Sequence, residues 1–261
     1  MALDEAILRG YSHHSAPPTL RIYGWKPAAL SIGYSQDPGE ELDLERCLRE
    51  PMPFVRRLTG GGIILHDDEL TYSLVCSKED LGIPRAVLSS YSVICSFLIE
   101  FYKALGIDAA FARDVITDEA LGSPSALCFA AKEKHDIVIS GRKIGGNAQK
   151  RTRNIIFQHG SIPLGPGRGR ETAFLRRAPA ADIARCSISL EEAAGRRLAT
   201  GELSPVLIGA FERSFNLKLV PGRLSDTEKT VFLDLLAMKY RSDDWNYRRM
   251  DGIRYAAGMA Q

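Results

Sequence analysis

The 261-residue chain has little cysteine, no long apolar run and no block of charge of one sign. Its five cysteines, Cys47, Cys76, Cys95, Cys128 and Cys186, are an odd number, widely spaced and without a CxxC pair. Neither a disulfide framework nor a zinc site is expected, and a reducing compartment suits them. No apolar stretch reaches the ~18 residues that a membrane span needs. The first residues lack the basic-then-apolar layout of a secretory signal, so a cytoplasmic protein with no membrane partner is expected. Basic residues number 34 and acidic residues 32, for a formal net charge of +2. The two signs are scattered, which argues against a nucleic-acid partner. Internal repeats and low-complexity segments are also missing, so a solenoid or a disordered tail is not indicated.

What is present is an ordinary globular composition, 45% hydrophobic, long enough to bury a sizeable core. MALDEAILRG (1–10) has apolar residues at helical spacing before Gly10. TLRIYGW (19–25) and ALSIGY (29–34) read as strands joined at Lys26-Pro27. PFVRRLTGGGIILHDDELTYSLVCS (53–77) reads as a strand, a glycine turn and one or two further strands. A long helix is expected over 87–105 with Gly106 as its stop. A hairpin is expected over 136–146 and a strand over 154–164. Beyond Gly165 the composition shifts to Ala, Arg, Leu and Glu, with helices expected at 189–199, 204–215 and 225–240. One domain spanning 1–261 is the expected organisation, sheet-rich over 1–165 and helical over 166–261.

Two segments carry candidate chemistry. In RRLTGGGIILHDDELTYS (56–73), three glycines within strand-like sequence cost backbone entropy and pack no side chain. Close approach of backbone N–H groups to a ligand would explain them, and so would a plain hairpin turn. Arg56 and Arg57 before them and His66-Asp67 after them shift the reading towards a ligand site. The two arginines alternate faces in a strand, so only one is expected to point into a pocket. In GRKIGGNAQ (141–149), Lys143 stands beside Gly145 and Gly146, where an ammonium can hold a carbonyl, a phosphate or a thiol. His66 and His159 lie in strand context and read equally well as core histidines. Cys76 and Cys95 sit in periodic, core-like elements. Cys128 follows the loop GSPSAL, and spacing alone leaves it either a packed thiol or a nucleophile.

RRLTGGGIILHDDELTYS, GRKIGGNAQKR and QHGSIPL, in that order after the opening MALDEAIL, resemble the biotin/lipoate protein ligase and octanoyltransferase superfamily. HDDELTYS, LCFAA before HDIVISGRK, and the late SDDWNYRR (242–249) look most like its LipM-type octanoyltransferases. The resemblance implies an α+β fold with a mixed β-sheet flanked by helices. It implies transfer of an octanoyl group from octanoyl acyl carrier protein to a lysine of a lipoyl domain, such as that of the glycine cleavage H protein. Cys128 would carry the acyl group as a thioester, and Lys143 would lower its pKa, take a proton from the incoming amine or stabilise the oxyanion. Arg57, Gly60, Gly61, Gly62, His66, Gly145, Gly146, Asn147, Ala148 and His159 would bind substrate. Burying about seven CH₂ or CH₃ groups at ~0.8 kcal/mol each would supply several kcal/mol of binding. A monomer needing no metal and no cofactor is expected.

Three other readings remain open at the level of sequence. An ATP-dependent lipoate-protein ligase would use ATP and magnesium, with Arg57 and the glycines on an acyl-adenylate and Lys143 on its phosphate. An amidotransferase would move octanoate between lipoyl domains. An inactive carrier-binding module would leave Cys128 unreactive. The arginine-rich segment 167–179 reads either as a solvated face or as a dock for an acidic carrier protein. Members of that superfamily begin well before the MALDE motif, so either the chain is a shortened version or another segment covers the exposed sheet edge.

Overall fold

A computed structural model describes residues 1–13, 16–83, 87–116, 133–152, 154–165, 167, 169–177 and 182–251. Ten strands form three sheets among the described residues. The main one has the order β1-β5-β10-β9, from β1 (Thr19–Tyr23), β5 (Glu69–Ser77), β10 (Ile155–Pro163) and β9 (Gly146–Arg151), all antiparallel. The second has β2 (Ala29–Ile32) at its centre, parallel to β3 (Phe54–Arg56) and antiparallel to β4 (Ile64–His66). The third is small, built from β6 (Ala110–Phe111), β7 (Ile137–Ile139) and β8 (Arg142–Lys143). Mixed sheets flanked by helices give the α+β class that the sequence resemblance implied.

The central strand β5 explains where the site lies. Its residues alternate, as a strand must, between Leu70, Tyr72, Leu74 and Cys76 on one face and Glu69, Thr71 and Ser73 on the other. All seven are buried. The apolar face packs against the helix Val87–Ala104, whose Ile94, Cys95, Phe97, Leu98, Phe101 and Tyr102 recur at helical spacing. The helix Thr200–Phe215 covers the same core through Leu203, Leu207, Ala210 and Phe211. The polar face has no such partner. It is covered instead by the first helix, Ala2–Ser12, and by the second sheet, and buried polar groups there must find hydrogen bonds.

Local signals set the connections. The β7–β8 hairpin turns through Ser140 (φ 48°) and Gly141 (φ 73°), the two positive φ values that a two-residue hairpin turn demands. The expected helix 189–199 is shorter, Leu190–Ala194, with a Ser189/Glu192 capping box and a stop at left-handed Gly195. The expected helix 225–240 is Asp226–Leu235 followed by a π-helical turn, Leu236–Tyr240. The strands predicted on either side of Lys26-Pro27 exist, but they do not pair: β1 and β2 join different sheets. None of the described helices is long and apolar enough to cross a membrane.

Candidate active site

A cleft opens on the polar face of the main sheet, between β9–β10 and the loop that follows β3. Arg57, Gly60, Gly61, Ile64 and His66 line one side, and Thr71, Gly146, Asn147, Ala148, His159, Gly160 and Ser161 the other. The cleft is narrow, with a cavity volume of about 30 Å³.

Arg57 is the organising cation on the loop side. Its Nη1 donates to Ser31 O (2.8 Å) and Ser31 Oγ (2.7 Å), and its Nη2 to Gly60 O (3.2 Å) and Gly62 O (2.7 Å). The guanidinium therefore gathers the glycine loop by its carbonyls. Gly61 lies between them at φ +92°, in the left-handed region that glycine occupies without strain. Arg56 points the other way and takes no part in the cleft. Its guanidinium donates to Gly33 O, Tyr34 O and Gln36 O on one side, and to Trp245 O and Asn246 O on the other. Asn246 Oδ1 accepts from Arg56 N, and Trp245 Nε1 donates to Arg56 O. Arg56 thus ties the late SDDWNYRR segment to β3, as strand alternation requires of the arginine facing away from the cleft.

His66 stacks on Trp25 with ring centroids 4.0 Å apart, and its two nitrogens meet Ser31 Oγ (2.5 Å) and Glu69 Oε1 (2.7 Å). His159 meets Thr59 Oγ1 at 2.6 Å. Burial, and then the positive charge of Arg57, push its pKa from 6.5 to about 3, so its ring is neutral at physiological pH. On the opposite wall, Asn147 is held by two tyrosines: Tyr72 donates to its Oδ1 (2.7 Å) and Tyr91 to its carbonyl (2.8 Å).

Of the residues expected at the site, Arg57, Gly60, Gly61, His66, Gly146, Asn147, Ala148 and His159 line this one cleft. Gly62 and Gly145 support its walls from behind. A Cβ on Gly145, at φ +84°, would sit 2.7 Å from Ser161 O, so only glycine lets this turn meet β10. Lys143 is three positions before Gly146 and is buried, with Nζ 2.7 Å from Asp136 Oδ2. Cys128 lies outside the described residues. Three of the other four thiols are poorly suited to nucleophilic work: burial raises those of Cys76 and Cys95 to about 12 and that of Cys47 above its ordinary value. In the arginine-rich segment, Arg170 pairs with Asp67 at 2.6 Å, both on the surface.

Ile64, Thr71, Gly160 and Ser161 also line the cleft, and neither they nor four residues behind it were anticipated from sequence. Ser31, Thr59 and Glu69 complete the hydrogen bonding behind the cleft. Gly33 lets β2 run against the glycine loop. Glu69 alone had a legible signal, since it opens the polar face that Thr71 and Ser73 continue at a period of two.

The overall fold is that of the lipoate-protein ligases. It matches a lipoate-protein ligase A crystallised with ATP at a TM-score of 0.78 and 23% identity, over 95% of this chain and 93% of that one. It also matches the bipartite lipoate-protein ligase of Thermoplasma acidophilum, studied with its E2 lipoyl domain, at 0.77 and 21%, over 96% and 91% of the two chains. Residues 1–212 match the lipoyl protein ligase A/B catalytic domain, and the chain belongs to that family. Among curated relatives it is similar to the octanoyltransferase LipM of Geobacillus kaustophilus, 39% identical over 95% of this chain and 93% of that protein. The octanoyltransferases LipM of Kyrpidia tusciae and Bacillus subtilis are 40% and 37% identical, each over 95% of this chain and over 94% and 93% of their own lengths.

Proposed function

We propose that the chain is an octanoyltransferase of protein lipoylation, which takes octanoate from octanoyl acyl carrier protein and attaches it to a lysine of a lipoyl domain. The observation that carries this reading is the likeness to octanoyltransferases LipM, 37 to 40% identical across nearly their whole length. The cleft supports it: a narrow space walled by glycine backbone, with Ile64 and Ala148 for an acyl chain and Arg57 at its polar side.

The chemistry proceeds in two exchanges. The Cys128 thiolate adds to the thioester carbonyl of the donor, and the tetrahedral oxyanion collapses as the carbon–sulfur bond to the carrier breaks. The carrier thiolate leaves and takes up a proton, and the octanoyl group rests on Cys128. One thioester replaces another, so the step is nearly isoenergetic and no ATP or other cofactor is called for. The amine of the acceptor lysine then adds to this thioester, loses a proton, and expels Cys128 as the amide forms. An ammonium at Lys143, which pairs with Asp136 at 2.7 Å, suits lowering a thiol pKa from ~8.5 and stabilising an oxyanion. The acceptor most in keeping with this family is a lipoyl domain such as the glycine cleavage H protein.

The test is intact-mass spectrometry of the wild type and Cys128→Ala after mixing with octanoyl acyl carrier protein without ATP. A hydroxylamine-sensitive octanoyl adduct on the wild type alone is expected. Labelling of a lipoyl domain only when ATP and free octanoate are added would replace the transferase by a ligase.

A further inference from the structure

We infer that Glu69 is a positioning residue for octanoyl transfer, acting through His66 and Ser31 to fix the Arg57 guanidinium at the cleft. This rests on the reading of the cleft as the acyl site. Glu69 is buried and accepts on both oxygens. Oε1 takes the Thr71 hydroxyl and faces His66 Nδ1 at 2.7 Å, while Oε2 takes the Ser161 hydroxyl. The Thr71 oxygen in turn accepts from Trp25 Nε1 at 3.1 Å, so the hydroxyl links Trp25 to Glu69. A carboxylate that only accepts requires a proton on His66 Nδ1. In the neutral ring this leaves Nε2 as an acceptor, 2.5 Å from Ser31 Oγ.

Ser31 Oγ receives Arg57 Nη1 at 2.7 Å, so its own proton turns to His66 Nε2. Every donor and acceptor in the series Glu69, His66, Ser31, Arg57 is then assigned in one direction. The far end of the series is the guanidinium whose other arm holds Gly60 O and Gly62 O. Trp25, stacked on His66, keeps the ring plane in line. With the tautomer reversed, Ser31 Oγ would accept from both Nε2–H and Arg57 Nη1, its own proton would turn away from the ring, and His66 Nδ1 would face the Glu69 carboxylate without a proton. Glu69 touches no lining atom of Arg57 itself, and its influence on the reaction passes along this series.

The experiment has two parts. In the first, ¹⁵N NMR of the histidine rings in the wild type is expected to show the Nδ1-protonated tautomer of His66, and Glu69→Ala to mix its tautomers. In the second, steady-state octanoyl transfer is measured for Ser31→Ala, Glu69→Ala and the double variant. Each single change is expected to lower kcat/KM about tenfold, mainly by raising KM for the octanoyl donor. The double variant should lie within about twofold of the worse single variant, because both cut the same series. Glu69→Gln, which retains an acceptor oxygen towards His66, should restore most of what Glu69→Ala loses. A wild-type His66 protonated at Nε2 would overturn the inference, and so would losses that multiply to about a hundredfold in the double variant. A wild type that transfers no octanoate would remove the functional reading, while the His66 tautomer would still decide the role of Glu69. Should Glu69→Ala fail to fold, Ser31→Ala and Glu69→Gln supply the same comparison.

Discussion

Gly33, in the ALSIGY strand segment but outside the two segments read as candidate chemistry, is the residue whose replacement should damage the site most cleanly. An alanine Cβ at this position would stand 1.9 Å from Gly61 O. Ordinary contact begins at about 3.4 Å, so the two backbones must part by about 1.5 Å. Neither is free to do so. Gly33 is held by its N–H to Gln36 Oε1 (2.8 Å) and its carbonyl to Arg56 (3.2 Å), while Arg57 grips the loop at Gly60 and Gly62. Overpacking of this kind costs ~1–3 kcal/mol, or a fall in Tm of roughly 3–10 °C for a chain of this size. The loss of activity should be larger in proportion, because a ~1 Å misplacement of a positioned group costs about a hundredfold in rate. Gly60→Ala is the contrast: its Cβ meets nothing within 4 Å, so its Tm should match the wild type. Differential scanning calorimetry and a lipoyl-domain octanoylation assay on both variants make the comparison. A Gly33→Ala protein with wild-type Tm and rate, or a Gly60→Ala protein destabilised as much, would refute the steric argument.

Two further outcomes separate neighbouring residues by role. Asn246→Ala removes the acceptor of Arg56 N and two donors to the carbonyls of Tyr240 and Ser242. It should lower stability by about 2–3 kcal/mol in urea denaturation, whereas Arg57→Ala should act chiefly on the KM for the acyl donor. His159 has a folded pKa of about 3 against an ordinary 6.5, so the unfolded chain binds its proton first as pH falls. Stability should therefore be full above pH 6.5 and decline below it. Urea midpoints between pH 7.5 and 5 should flatten in His159→Gln, and an unchanged slope would show that another group carries the effect.

Local order was well marked in the sequence, because it depends on neighbours a few residues apart. The run 87–105 repeats its apolar residues at helical spacing and ends at Gly106, which does take a positive φ of 76°. The 136–146 hairpin needed only its Ser140-Gly141 turn between β-branched residues. Alternation alone predicted that one of Arg56 and Arg57 would turn away, but not which, since that depends on the late segment holding Trp245 and Asn246.

The ends of the 189–240 helices were less legible, because Gly195 and a π-helical turn cut them where periodicity continued. The two strands joined at Lys26-Pro27 were legible, but the register of β1 on β5 and of β2 between β3 and β4 is a long-range choice. The same holds for the site. The sequence by itself determined which motifs bear the glycines, the lysine and the histidines. The tertiary structure alone decided that Glu69, Ser31 and Thr59 complete them and that Gly33 must be glycine. The reason is physical: a buried polar group or a close backbone approach is specified by what stands opposite it, and here the partners come from strands and loops up to 100 residues apart.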